Sequence, residues 1–319
     1  MKNLVNFLAS FLIVGIVLAT SLTSAMAEPP RKGTALGDSI TMGFAAVCQR
    51  NRNFWDLFCL LRGDRPTYSW FDGSDRAVNS VLKRYREINS RIAGNKDPAR
   101  SGSELIGGRN NFIVQANQVL SQSPVPDHVE VVLGGNDICN RDCVDSRNCN
   151  NPLYSEQQWT DTVRAGLDVL VNGLPAGSTV YLGSVPRVQD LRQAGLEKQA
   201  ANRRVRCESV WNTFGICRIA TAGGNFNGES EAFRRNGIAA RQQRYNEILR
   251  SEAQRYTTNA DGQNPRGIEV IAEYAGENQS GIGTTPLTGD IINGGDCFHP
   301  NVAGQNVFAE LMWNRNSDR

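Results

Sequence analysis

Four short β-rich runs, separated by longer stretches of helical pattern, limit the possible folds of this chain more than any other feature. They are residues 34–36, 129–133, 179–185 and 267–271. Between the first two, Val78, Val81, Leu82, Tyr85 and Ile88 recur at three- and four-residue spacing, as on a helix face. Residues 99–104 read as a loop entering a helix at about Leu105. A helix is expected over 155–174, where Ser155 and Gln158 form a capping box and Trp159, Val163, Leu167 and Leu170 an apolar stripe. A longer one is expected over 229–256, with Phe233, Ile238, Tyr245, Ile248 and Leu249 as core candidates, and a closing one over 302–313. Strands alternating with helices predict a mainly parallel sheet covered on both faces. Such a sheet binds its ligands beyond the carboxyl ends of its strands.

With 319 residues, 40% of them hydrophobic, the chain can bury one large core. No repeat or linker-like break divides it, so a single domain over 28–319 is expected, with an insertion at about 187–265. Lys and Arg number 34 against 32 for Asp and Glu, a net charge of +2 that does not call for nucleic acid as a partner. Arg203-Arg204-Val205-Arg206 reads as a solvated helix face. Lys2, the apolar residues 7–19 and Ala25-Met26-Ala27 read as a signal peptide cut after Ala27. That apolar run is too short for a membrane-spanning helix, and no Cys follows the cut to carry a lipid. A secreted or periplasmic protein starting at Glu28 is the expectation.

Export explains eight cysteines as disulfides. Zinc is the rival, but Cys139, Cys143 and Cys149 lack a second matching ligand pair. Spacing does not fix the connectivity. The shortest closures would be Cys48–Cys59, Cys143–Cys149 and Cys207–Cys217, leaving Cys139–Cys297.

The first β-rich run ends in Gly37-Asp38-Ser39, and Ile40 is expected to open a helix. A serine at such a junction has an exposed hydroxyl and an unpaired N–H, and the helix dipole there favours an anion. The second run ends in Gly134-Gly135-Asn136-Asp137, where two glycines allow a sharp turn that aims Asn136 across the sheet edge. A serine nucleophile needs a base, and the chain has only His128 and His299. His128 opens a strand at the opposite end and is read as structural, which leaves His299. Asp296, three residues earlier, can orient that imidazole through its far nitrogen. The blander alternatives are a helix cap at Asp38-Ser39 and a turn-forming Asp296 after Gly294-Gly295.

Gly37-Asp38-Ser39, Gly102, Gly134-Gly135-Asn136-Asp137 and Asp296-Cys297-Phe298-His299 stand in the order found in the SGNH/GDSL esterase and lipase superfamily, which the chain resembles. The resemblance implies an α/β fold of flavodoxin-like three-layer α/β/α type, with a mainly parallel five-stranded sheet. It implies Ser39 as nucleophile, His299 as base and Asp296 as orienting acid. The oxyanion hole would comprise the N–H groups of Ser39 and Gly102 and the Asn136 amide. The segment before Gly102 departs from the pattern, since Ser101 stands where an asparagine is usual. Gly134 to Cys139 with Cys143 nearby, Tyr68-Ser69-Trp70, and Asp296 to His299 look most like phospholipase-B-type members.

The expected activity is exported ester hydrolysis through an acyl-enzyme, with lipid, phospholipid or lysophospholipid esters as substrates. Acetylated carbohydrate or short-chain esters fit the same machinery. No metal or other cofactor, no nucleic acid and no obligate protein partner is implied, only transient contact with a lipid surface. A rival of another class is an exported binding protein that keeps the scaffold without turnover.

Overall fold

The computed structural model describes residues 29–274, 276 and 280–314. The expected signal peptide and its cleavage site after Ala27 lie outside the described residues. The strands are β1 (Lys32–Gly37), β2 (Ala93–Asn95), β3 (His128–Val132), β4 (Thr179–Leu182), the small hairpin β5 (Asn225–Phe226) and β6 (Glu229–Ser230), and β7 (Glu269–Ala272). The helices are α1 (Phe54–Leu61), α2 (Val81–Ile88), α3 (Phe112–Leu120), α4 (Gly135–Cys139), α5 (Glu156–Gly173), α6 (Leu191–Ala201), α7 (Cys207–Phe214), α8 (Arg218–Thr221), α9 (Glu231–Thr257) and α10 (Val302–Asn314).

Five strands form one parallel sheet in the order β2-β1-β3-β4-β7. This is the doubly wound order whose ligand crevice lies where the winding reverses, between β1 and β3. Side chains alternate along each strand between two apolar layers. Leu36, Val129, Val131, Val180, Leu182 and Val270 pack with α3, α5 and α9. Ala35, Val132 and Tyr181 pack with α2, α10, Trp70 and Phe71 on the other face. The result is the three-layer α/β/α sandwich expected.

The helix over 155–174 forms as Glu156–Gly173, with the capping box of Ser155 and Gln158 intact. Its stripe of Trp159, Val163, Leu167 and Leu170 is buried, at roughly 1.5–3 kcal/mol per large side chain. The long helix forms as Glu231–Thr257, packs on β7 and α5, and buries Ile238, Tyr245, Ile248 and Leu249. Phe233 does not join them: it is 46% exposed, because it faces away from the sheet in the first helical turn. Ile88, at the end of α2, is likewise exposed.

Two expected helix starts move. No helix opens at Leu105, whose N–H is taken by Asp137, and α3 begins at Phe112 behind its N-cap Asn111. No regular helix opens at Ile40 either. Residues 39–47 form consecutive turns, because Gly43 and Ala45 both adopt positive φ and break the helical ladder. Edge strand β2 has no apolar run, which is why its three residues carried no β signal.

All eight cysteines are paired, but two of the four shortest-closure pairs are wrong. Cys48–Cys59 and Cys143–Cys149 form. Cys207 joins Cys297 instead of Cys217, and Cys217 joins Cys139. Loop length alone misled here, because the fold lays 207–217 across both ends of the site. Among the described residues no helix is long and apolar enough to cross a membrane.

Candidate active site

Gly37 ends β1 level with Val132 of β3, so the turns after both strands open on the same edge of the sheet. A side chain at Gly37 would meet Thr41 Oγ1 at 2.0 Å, so only glycine lets the chain double back at once. Two glutamines hold the turn that follows. Gln115 of α3 accepts from Gly37 N (2.8 Å) and donates to Gly37 O (3.0 Å). Gln305 of α10 donates to Ile40 O (2.9 Å) and accepts from Trp70 N (2.9 Å). Ser39 is thereby fixed by the core, without a helix dipole behind it.

His299 arrives from the loop after β7. Its Nε2 lies 2.7 Å from Ser39 Oγ and its Nδ1 lies 2.7 Å from Asp296 Oδ2. A carboxylate can only accept, so Nδ1 carries the proton and Nε2 is left to receive that of the serine. The second oxygen of Asp296 accepts from Asn293 Nδ2 (2.8 Å), Phe298 N (2.9 Å) and His299 N (3.0 Å). Burial pushes the Asp296 carboxyl up, but the His299 charge and the hydrogen bonds from His299 and Phe298 outweigh it. The net result is a value below the ordinary one.

The tight return of this loop puts Cys297, between acid and base, in the left-handed region at φ 55°. For a non-glycine residue that costs on the order of 1 kcal/mol or more. Helix α7 holds the strained loop in place. Cys207 is bonded to Cys297, and Trp211 Nε1 donates to Asp296 O at 3.0 Å.

Asn136 stands in the first turn of α4, after Gly134 at φ 115°. A Cβ on Gly134 would come within 2.8 Å of both Val185 and Trp159. The Asn136 amide donates one hydrogen to Ser103 O (2.9 Å), and its other hydrogen remains for a ligand. Asn136 lines the same pocket as Ser39 and His299. The loop it touches is tied back by Arg100 N to Gly37 O (3.1 Å) and by Asp137, which accepts from Leu105 N (2.6 Å) and Ile106 N (2.9 Å). Gly102 sits in that loop on an exposed turn at φ 84°, one residue before Ser103.

Ser39, Asp296, His299 and Asn136 therefore meet, with Gly102 in the adjoining loop. His128 does not: it is fully buried, with Nε2 2.9 Å from Glu130 Oε1. Several neighbours escaped sequence reasoning. Asn293 had a local signal, an Asn three residues before Asp296 in Asn-Gly-Gly-Asp. Phe44, whose ring centroid lies 4.6 Å from the imidazole, and Trp211 had none, since only the fold brings them near. Asp38 and Asp137 are buried carboxyls beside the site. Burial raises Asp38 to about 6 against the pull of the Ile40 N–H and the His299 charge. Burial raises Asp137 to about 7 against its two backbone donors.

Two apolar spaces flank the serine and histidine. A cavity of about 40 Å³ lies among Ser39, Ile40, Pro186, Leu287 and Phe308. A trough of about 620 Å³ opens on the other side of His299, walled by Phe44, Leu60, Leu61, Phe214 and Ile216. Among the described residues no group of three or more ligating side chains could hold a metal ion.

Residues 34–312 match the family described as GDSL-like Lipase/Acylhydrolase. No curated protein matches the sequence. Similar solved structures include a family two carbohydrate esterase from Clostridium thermocellum in complex with cellohexaose, 13% identical with a TM-score of 0.42 over 89% of this chain. An active-site mutant of such an esterase from the same organism is 12% identical, with a TM-score of 0.42 over 90% of this chain. This chain spans 62% of the length of each of those two proteins. A protein of Lactobacillus plantarum is 13% identical, with a TM-score of 0.38 over 89% of this chain and 95% of its own. Likeness at this level says nothing of the substrate.

Proposed function

The chain belongs to the GDSL-like lipase/acylhydrolase family, and from that premise we propose that it is an exported serine ester hydrolase working through Ser39, His299 and Asp296. The observation that carries the reading is the unbroken chain of two 2.7 Å contacts from Asp296 through His299 to Ser39 Oγ. Ser39 Oγ attacks the ester carbonyl while His299 Nε2 takes its proton, and Asp296 stabilises the imidazolium that forms. The oxyanion is received by the free amide hydrogen of Asn136, with the N–H groups of Ser39 and Gly102 as further donors. Removing one such donor costs about 2.7–4 kcal/mol of transition-state stabilisation. His299 then returns its proton to the leaving alkoxide and activates water against the acyl-enzyme.

The trough of about 620 Å³ favours a lipid ester, since its apolar walls run up to His299 and would shelter a chain of methylenes at about 0.8 kcal/mol each. The cavity of about 40 Å³ beside Ser39 favours the second reading, an acetyl or other short-chain ester, because it admits little more than a methyl group. Four disulfides suit an oxidising compartment, in keeping with export behind a leader cut after Ala27.

A fluorophosphonate probe with peptide mass mapping tests the nucleophile, and p-nitrophenyl esters of graded length test the substrate. The expected result is label on Ser39, turnover that vanishes in Ser39→Ala, and unchanged melting of that variant. Turnover surviving in Ser39→Ala would remove the assignment. A folded protein that neither labels nor turns over any ester is instead a binding protein on this scaffold.

A further inference from the structure

Helices α1 and α7 start side by side and end across from each other. Their starts are joined where Asn51 N donates to Arg204 O (3.3 Å) and Arg206 N donates to Asn51 Oδ1 (2.7 Å). Their ends, Leu60 and Leu61 of α1 and Phe214 of α7, form facing walls of the trough that runs to His299. At this mouth two large apolar side chains turn outward, Leu61 at 75% exposed and Phe214 at 57%. Large apolar side chains facing water on both walls of one trough mark a contact surface.

The exposed charge along the α1–α7 face is mainly positive. Arg62 follows Leu61 directly, and Arg52, Arg203, Arg204 and Arg206 stand at the joined helix starts, all exposed. None of these five has a carboxylate partner among the described residues. Two nearby acids are paired with other arginines, Asp56 with Arg50 (2.7 Å) and Glu208 with Arg192 (3.0 Å), and Asp64 accepts from Ser101 and keeps its charge. Apolar side chains at one end of a short helical face, with arginines along the rest of it, suit the boundary between anionic headgroups and acyl chains. An acidic polysaccharide would meet the arginines but would leave Leu61 and Phe214 facing water.

We propose that the α1–α7 face is a docking pad for an anionic phospholipid surface, seating Leu61 and Phe214 in the acyl boundary so that the trough opens directly onto lipid. The pad deepens the lipid-ester reading of the site and rests on it only for its purpose; adsorption itself needs no turnover.

The test is therefore cosedimentation of the mature protein from Glu28, carrying Ser39→Ala, with vesicles of phosphatidylcholine alone or mixed with phosphatidylglycerol, at low and high salt. Expected is strong partition into the anionic vesicles at low salt, and its loss at high salt. Each replacement among Arg52, Arg62, Arg203, Arg204 and Arg206 by Gln should weaken it about fivefold. Leu61→Ser with Phe214→Ser should weaken it about tenfold or more. Equal partition into both vesicle types, or partition untouched by these substitutions, overturns the pad and points to another segment. Binding to dextran sulfate with no effect of Leu61→Ser and Phe214→Ser overturns it in favour of a polyanion site. Because Ser39 is absent from this assay, its failure leaves the nucleophile reading standing, and failure of the probe at Ser39 leaves the pad standing.

Discussion

The asparagine three residues before Asp296 holds the proposed orienting acid in place. Asn293 donates to one carboxylate oxygen at 2.8 Å, while its own Oδ1 accepts from Gly295 N (2.8 Å) and Asp296 N (2.9 Å). It thus fixes the acid from both its side chain and its backbone. Asn293→Ala removes a hydrogen bond to a charged group, worth about 1.5–3 kcal/mol. Asp296 then has freedom to swing, and the imidazole loses its fixed direction. The expected outcome is a fall in kcat on the order of tenfold to a hundredfold with KM little changed, read by steady-state kinetics. An equal loss confined to KM would mean that Asn293 contacts substrate and does not act through Asp296. Beside Ser39, the proposed nucleophile, Asp38 makes a different demand. Its folded value of about 6 lies above the ordinary 3.8, so between those values the folded state holds a proton that the unfolded state has released. Its contribution to stability is whole below about pH 4 and is lost as pH rises through about 6, a change on the order of 3 kcal/mol. Asp38→Asn keeps an acceptor for Ile40 N and should flatten this part of the profile. Denaturant unfolding across that range measures it, and two parallel profiles would show that Asp38 is not the group.

At the scale of elements, what could be read in the chain was whatever carried its own periodicity or cap. Helix α5 announced both ends, through Ser155 with Gln158 and the stripe from Trp159 to Leu170. The strands β1, β3 and β4 are β-rich runs buried almost throughout, as a parallel sheet demands, and the edge strand β7 buries Val270. Elements defined by their neighbours were not readable. Strand β2 exists because Ala93, Gly94 and Asn95 find Lys32, Gly33 and Thr34 beside them. The turn carrying Ser39 does not continue as a helix, because Gly43 and Ala45 adopt positive φ, and Gln115 and Gln305 from distant helices brace it. The site followed the same division. Ser39, Asn136, Asp296 and His299 lie in short motifs and were legible as a set. Phe44, Trp211 and Gln115 reach the site only through the fold, and nothing in their local sequence marks them.

Over the whole molecule, the two disulfides that loop length failed to foresee tie the catalytic parts to one another. Cys139 follows the helical turn of Asn136, Cys297 lies between Asp296 and His299, and both are bonded into the segment 207–217. That segment is one brace under the proposed oxyanion donor and the proposed base. The loops closed are 78 and 90 residues long, against 11 and 6 for the other two bonds. Chain-entropy arguments give about 4–5 kcal/mol for each long closure and roughly 2–3 kcal/mol for each short one. Replacing Cys207 and Cys297 together by alanine should lower the melting temperature by roughly 10 °C. It should also lower kcat at temperatures where the variant is still folded, because Cys297 loses its covalent tie to α7, and from that helix the Trp211 hydrogen bond to Asp296 O is left to hold it. Replacing Cys143 and Cys149 by alanine is the control: their bond lies in a loop fastened to Glu229, so kcat should hold while stability falls by roughly half as much. Calorimetry and initial rates on both variants separate the two effects. If kcat falls equally in both, or in neither, the 207–217 segment stabilises the fold without positioning the base.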